Sequence, residues 1–379
     1  LGEVTRFAEA DSPGSGLERE RLSPGVECGD NAGKLVGTCP IASLAGDSPA
    51  LEAPVTIRGL AKDHQTSVKR PADFDAFWEG ILADLAQIPL DPSMEYLPYP
   101  STDEVEVFEI GYTSLEGVRI AGWYCRPREG WATAPFPGLS IVPGYVSEPT
   151  LPKSWAKLGY ATIGVAPRGK LRSNAQFNPG YPGLLIHNIV DRNTFSYKAF
   201  YIDAVRAVEF LQSRPEVDSS RIGVHGGSQG GALTLTTAAL MWDAITCGAA
   251  GAPYLAGYMD CAALTHSYPY EEMNEYLRLY PEREEAMRST LEYFDCINFA
   301  SRIKASMLMY VGLADDVVPP ETAYDLEKVM TCPVDVHAYD RCGHEAGIYW
   351  EMPVIEAFLA KHLKPSVAQA GLHAQNTEG

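Results

Sequence analysis

The sequence predicts an α/β fold, a mainly parallel central sheet flanked by helices, with a helical insertion near the site and an N-terminal extension. Three observations predict it. Short apolar runs at Gly138 to Val142, Tyr160 to Ala166, Arg221 to Gly226, Ile245 to Gly251, Ser306 to Gly312 and Val334 to Tyr339 are separated by helical stretches. Continuous apolar strands of this length are those buried on both faces of a parallel sheet. Before them, VEVFEIGYTS and VRIAGWYCRP alternate with period two around a loop holding Glu116 and Gly117, which predicts an antiparallel hairpin at a sheet edge. Finally, RIGVHGGSQGGALTL, Arg221 to Leu235, passes from a strand-like run into an unbroken helical one.

Residues 1–60 are rich in Gly, Pro, Ser and Glu and lack periodicity, so they form a loop-rich extension. The body is expected over 61–365 and a tail over 366–379. Pro71 opens a helix in which Phe74, Phe77, Trp78, Ile81, Leu82 and Leu85 recur at helical spacing, with Asp73 and Asp75 in its first turn. This stripe is expected to pack on the sheet. Crossover helices follow at Ala199 to Arg214 and, after a Pro-Pro start, at Glu321 to Met330. Between Gly251 and Ser306, the segment MDCAALTHSYPYEEMNEYLRLYPEREEAMRSTLEYFD is too long for a simple loop. It predicts helices above the carboxyl ends of the strands, where they would shape a pocket or an oligomer contact.

Composition narrows the partners. The 379 residues are 46% hydrophobic, enough for a large core. Asp plus Glu number 49 against 30 Lys plus Arg, a net charge of -19 that disfavours nucleic acid and anionic lipid and favours a neutral small molecule. No apolar run approaches the length of a membrane span. The eight cysteines form no C-x-x-C pair and no Cys/His cluster with zinc-finger spacing, so no structural metal is expected. Cys28 and Cys39, in the polar extension, could pair in an oxidising compartment. Because Leu1 is not a methionine, the start is expected to have been processed or cut, and any targeting signal to have gone with that step.

The chemistry centres on Ser228 in Gly226-Gly227-Ser228-Gln229-Gly230. A G-x-S-x-G stretch works as a nucleophile elbow where a strand turns sharply into a helix, and glycines at 226, 230 and 231 would let the two approach. The serine needs a base, and histidine titrates in the right range. His344, in the glycine-flanked RCGHEAG loop after the last strand, is the candidate among eight histidines. His337 falls in a strand, His362 in the terminal helix, and His225 in the elbow strand itself. Asp315 and Asp316 both follow a strand end and could orient the imidazole, while Asp340 is too near His344 in sequence. For the oxyanion, the backbone N–H groups of Gln229 and of Tyr145, after Pro143 and Gly144, are the candidates.

Together these stretches resemble the acetyl xylan esterase and cephalosporin C deacetylase family, carbohydrate esterase family seven of the α/β-hydrolase superfamily. The resemblance covers about residues 68 to 365: DFDAFW, GGSQGG, Arg168-Gly169-Lys170, SYPYEE, LEYFD, GLADDVVPP and His344-Glu345. It implies an α/β-hydrolase fold and a Ser228, Asp315 and His344 triad, choosing Asp315 over Asp316, with oxyanion amides at Tyr145 and Gln229. It further implies a serine esterase that deacetylates small acetylated carbohydrates such as xylo-oligosaccharides, and cephalosporin C. No cofactor is needed, and the expected assembly is a cytoplasmic homo-oligomer, often hexameric in the family. A Cys28 to Cys39 disulfide would instead point to a secreted or periplasmic protein. Pro143 stands where the family commonly has His, which leaves the backbone donor intact. Lys170 stands where it has Gln, beside an arginine that reads as structural and before an unusual LRSNAQFNPGYPGLL loop, so substrate preference is expected to differ. A broader carboxylesterase or peptidase and a non-catalytic binding module are the alternatives.

Overall fold

In the computed structural model, which describes residues 61–367, the apolar runs meet in one nine-stranded sheet of order β1-β2-β3-β5-β4-β6-β7-β8-β9. Cys28 and Cys39, and most of the C-terminal tail, lie outside the described residues. The strands are β1 (Ser93–Tyr96), β2 (Val105–Thr113), β3 (Arg119–Pro127), β4 (Phe136–Ile141), β5 (Ala161–Ala166), β6 (Val217–Gly227), β7 (Ile245–Gly251), β8 (Ser306–Gly312) and β9 (Val334–Tyr339). From β4 onward every pairing is parallel, and β1, β2 and β3 join as antiparallel neighbours on the β5 side. The expected hairpin, β2 with β3, is present but is not the edge. That place belongs to β1, whose four residues SMEY are all exposed and so carry no apolar period to read.

Alternate side chains of one strand feed two different cores. Met307 and Met309 of β8 join the large cluster under α3 (Ser196–Gln212) and α4 (Gln229–Leu240), while Leu308 and Tyr310 join the cluster under α10 (Ile348–Leu363). This is the two-sided burial that a continuous apolar strand implies. Every residue of α4 is buried, so that helix shows no polar face. The helix α1 (Phe74–Ala86) buries Phe74, Trp78, Ile81 and Leu85 as its spacing requires. Its aromatic partners differ from expectation, lying in helices and a turn and not in the sheet: Trp78 meets Tyr201 of α3, Phe294 and Phe299, and its indole N–H donates to the Tyr293 carbonyl. The insertion had to be covered from outside, and the stripe covers it.

Arg168, after β5, is anchored as a structural residue. Its guanidinium forks onto Asp203 of α3 at 2.9 and 3.0 Å and reaches Glu116 at 3.1 Å, while Ser114 donates to the same aspartate at 2.6 Å. A fully buried pair survives only when its remaining valences are met in this way. It ties the β2–β3 turn to α3.

Chain order reverses beside β4: β5 lies on one side of it and β6 on the other. In an open α/β sheet, the crevice at the carboxyl ends of the strands flanking such a reversal is where ligands bind. The turns that leave β4 and β6 carry Tyr145 and Ser228.

Candidate active site

β6 ends at Gly227 and α4 begins at Gln229, so Ser228 alone turns the chain, at φ 58° and ψ −122°. A non-glycine residue held there costs roughly 1–3 kcal/mol and persists only when its surroundings over-determine it. Here they do. Ser228 N–H donates to the Gly251 carbonyl at 2.8 Å, and its own carbonyl accepts from Ala232 and Tyr254 at 3.1 and 3.2 Å. The strand and helix approach until side chains are excluded: a Cβ on Gly226 would lie 2.6 Å from the Val142 oxygen, one on Gly230 2.4 Å from it, and one on Gly231 2.7 Å from the Gly251 oxygen. Gly227, in contrast, has nothing nearer than 3.9 Å.

His344 and Asp315 come to this serine from two loops. His344 Nε2 lies 2.9 Å from Ser228 Oγ, and its Nδ1 lies 2.9 Å from Asp315 Oδ2. The other carboxylate oxygen accepts the N–H groups of Val317 and Val318 at 2.8 and 2.9 Å, which fixes the acid's orientation. Gly312 permits the approach, since a Cβ there would meet the Gly343 oxygen at 2.1 Å. An imidazole so held can take the serine proton, with the buried carboxylate fixing its orientation.

The remaining candidates are elsewhere engaged. Asp316 is exposed and uses its carbonyl to accept from the Thr265 hydroxyl. Asp340 lies beside Arg341, and His337 contacts Glu351 at 3.0 Å. His225 packs on Trp155 with Nδ1 3.1 Å from the Ala249 carbonyl, and burial depresses its pKa. Gln229 is wholly buried at the start of α4, and Tyr145 stands in the turn beyond β4.

A cavity of about 720 Å³ opens over Ser228 and His344, its walls including Tyr145, Tyr181, Tyr268, Glu272, Ile348 and Met352. This is the size of a small-molecule site. Sequence reasoning left out one residue of the cavity wall, Glu272, and named Lys170 only as a departure from the family pattern. Glu272, on α6 (Glu271–Leu279) of the insertion, accepts from the Tyr145 hydroxyl at 2.7 Å and from Gly183 N–H at 2.8 Å, and burial raises its pKa. Lys170 donates to the carbonyls of Tyr145 and Ser147. Both stand in stretches, SYPYEE and Arg168-Gly169-Lys170, whose composition was informative while their contacts were not.

Among the described residues, His64, Asp260 and Asp325 come close enough to share an ion. Their oxygens are already taken, Asp260 by Thr66 and Ser67, and Asp325 by His64 and Lys328. No described helix is long and apolar enough to cross a membrane.

The acetyl xylan esterase (AXE1) family model matches residues 59–362. Among curated proteins, acetyl esterase Axe7A of Xylanibacter ruminicola is 29% identical over 284 residues, 70% of this chain. The alignment spans 61% of that protein's length. Among solved structures, the acetyl xylan esterase from Paenibacillus sp. R4 superposes with a TM-score of 0.74 at 32% identity, covering 80% of this chain and 99% of that one. Acetyl xylan esterase 1 from Thermoanaerobacterium sp. JW/SL YS485 gives 0.71 at 25% identity, covering 79% and 97%. With a match running from the start of the described residues to the end of α10, this chain belongs to the acetyl xylan esterase family.

Proposed function

We propose that this protein hydrolyses acetyl esters of small acetylated carbohydrates, such as xylo-oligosaccharides, through an acetyl-serine intermediate. The observation that carries the reading is the unbroken chain of contacts from Ser228 Oγ through His344 to Asp315, each 2.9 Å, at the floor of the cavity. Ser228 Oγ attacks the acetyl carbonyl carbon as His344 Nε2 takes its proton, and the carbonyl oxygen becomes an oxyanion met by the N–H groups of Gln229 and Tyr145. His344 then gives that proton to the departing sugar oxygen, leaving acetyl-Ser228. Water, deprotonated by the same imidazole, attacks the acyl carbon; acetate departs and Ser228 recovers its proton. Asp315 orients the imidazole throughout.

The names of the relatives support the acetyl group and the xylan-derived substrate. The cavity supports a neutral one. Its walls are mostly apolar and aromatic, with carboxylates at Glu272 and Glu345, in a chain of net charge -19. Acetylated sugars are therefore expected to bind better than cephalosporin C, whose carboxylates meet that field, and added salt should lower the cephalosporin C KM selectively.

Hydrolysis of 4-nitrophenyl acetate, butyrate and octanoate by wild type and Ser228→Ala tests the reading. Acetate turnover should dominate and fall by about 10³-fold or more in the variant. Preference for the octanoate ester would move the protein to the broader carboxylesterases, and equal rates for the two proteins would leave only the binding-module reading.

A further inference from the structure

Lys170 places an ammonium where the chain can barely tolerate one. It is 1% exposed, and a buried charge is retained only where its donors are met. Nζ donates to the Tyr145 carbonyl at 2.7 Å and to the Ser147 carbonyl at 2.8 Å, and it sits 4.5 Å from the centre of the Tyr181 ring. The backbone beneath is pinned to the end of β5. Lys170 N–H donates to Pro167 at 3.0 Å and its carbonyl accepts from Ser173, whose hydroxyl in turn donates to Ala166 at 2.6 Å. A rigid post on β5 thus grips the turn that leaves its neighbour β4.

That grip acts on one residue from a second side. The Tyr145 hydroxyl is fixed by Glu272 and by the Leu185 N–H, at 2.7 and 3.0 Å. With its hydroxyl held at one end and its carbonyl at the other, Tyr145 is anchored on both sides of its Cα, which limits how far its own N–H can turn. We propose that Lys170 is a positioning residue for the ester reaction, its ammonium holding the turn so that the Tyr145 N–H meets the oxyanion. This rests on the reading of Tyr145 as an oxyanion donor given above.

The grip should weaken in an observable range. Burial pushes the Lys170 pKa down to about 8, opposed by the lesser influence of the Glu148 carboxylate. The other titratable groups facing it, the Tyr181 and Tyr145 hydroxyls, are pushed upward by burial and do not ionise with it. Above that pH the amine is neutral, and both charge-assisted bonds and the attraction to the ring decline. Stability moves the other way. Because the folded value lies below the ordinary 10.5, the unfolded chain binds the extra proton between the two, and the Lys170 contribution to stability rises with pH there. Loss of rate through that window would therefore not come from a loss of the Lys170 contribution to stability.

The test measures kcat and KM of the full chain on 4-nitrophenyl acetate from about pH 6 to 10, with unfolding midpoints, for wild type, Lys170→Gln, Lys170→Met and Ser228→Ala. Wild-type kcat should fall about tenfold through an apparent pKa near 8 with KM nearly constant. Lys170→Met should lie about 10- to 100-fold below wild type at pH 7, a fraction of what losing an oxyanion donor costs. Lys170→Gln, which keeps an N–H donor without a titrating amine, should recover most of that loss and show no alkaline decline. A decline that persists in Lys170→Gln, or a folded Lys170→Met with wild-type kcat, overturns the proposal. If Lys170→Met does not fold, the comparison of wild type with Lys170→Gln decides. Ser228→Ala separates the levels, since turnover surviving in it would overturn the esterase reading itself.

Discussion

The two walls of the cavity are built from different materials. On the elbow side, backbone meets backbone: Gly226, Gly230 and Gly231 bring β6 and α4 against Val142 and Gly251, and Ser228 is strained between them. Around the Tyr145 turn, side chains meet across gaps: Glu272 reaches Tyr145 and Gly183, and Lys170, beyond β5, reaches two carbonyls of the turn that follows β4. Close backbone contacts leave no room for a side chain at Gly226, Gly230 or Gly231. Bridging side chains can be retuned one residue at a time, so substitutions there are expected to have smaller and more graded effects than substitutions at the elbow.

The contrast breaks most visibly at the elbow. In Gly230→Ala the new Cβ lies 2.4 Å from the Val142 oxygen, and neither partner is a side chain that could swing away. Overpacking of this kind costs about 1–3 kcal/mol, and here the backbone that must yield also aims the nucleophile. Acetyl ester turnover should drop by about 100-fold or more, with the unfolding midpoint lowered by several degrees in a thermal melt. Gly227→Ala, with 3.9 Å of clearance, should melt within about 2 °C of wild type. Equal damage from both would mean that the elbow tolerates no change for reasons other than close approach.

A smaller effect is expected from Glu272→Gln on the bridging wall. Both carboxylate oxygens accept, one from Tyr145 and one from Gly183. An amide offers one acceptor and turns a donor toward the second N–H, leaving a buried donor unpaired at about 1–3 kcal/mol. The variant should fold, lose about 3- to 30-fold in kcat/KM, and shift its relative rates on acetate and butyrate. An unchanged preference between the two acyl chains would remove the insertion from substrate choice.

Much of the elbow wall was legible because its demands are written as spacing. A strand period, then glycines at 226, 230 and 231, then an unbroken helical run can be read in one dimension, and His344 stands out because it alone follows the last strand in a glycine-flanked loop. What could not be read were choices between neighbours. Asp315 and Asp316 are the same chemistry one residue apart, and only the fold sends Asp315 inward to the imidazole and leaves its neighbour exposed. Glu271 and Glu272 repeat the problem: the first pairs outward with His266 and Arg278, the second turns in to the cavity. Neither periodicity nor composition distinguishes the members of such a doublet, because the deciding partner lies far away in sequence. The edge strand β1 escaped for a related reason, being held by its pairing with β2 and not by an apolar face.

The smallest effect belongs at the opposite end of β6, away from the elbow. There Asp218 accepts from Ser220 O–H at 2.6 Å and from Arg221 Nε at 2.7 Å, and Arg221 donates onward to the carbonyls of Leu363, Lys364 and Pro135. This knot joins the start of β6 to the end of α10 without touching the cavity. The Ser220 and Arg221 hydrogen bonds hold the Asp218 pKa at about 2, below the ordinary 3.8. A depressed carboxylate stabilises the fold fully above its unfolded value, and that stabilisation is lost as pH falls toward the folded one. Asp218→Asn should therefore cost no more than about 1 kcal/mol at neutral pH, as for a partly exposed ion pair. The difference from wild type should shrink as pH falls from about 4 to 2, followed by denaturant melts, with kcat/KM within about twofold of wild type at pH 7. A larger change in kcat/KM would mean that strain at Ser228 is set by the whole length of β6, and the separation between a chemical end and a structural end of that strand would have to be given up.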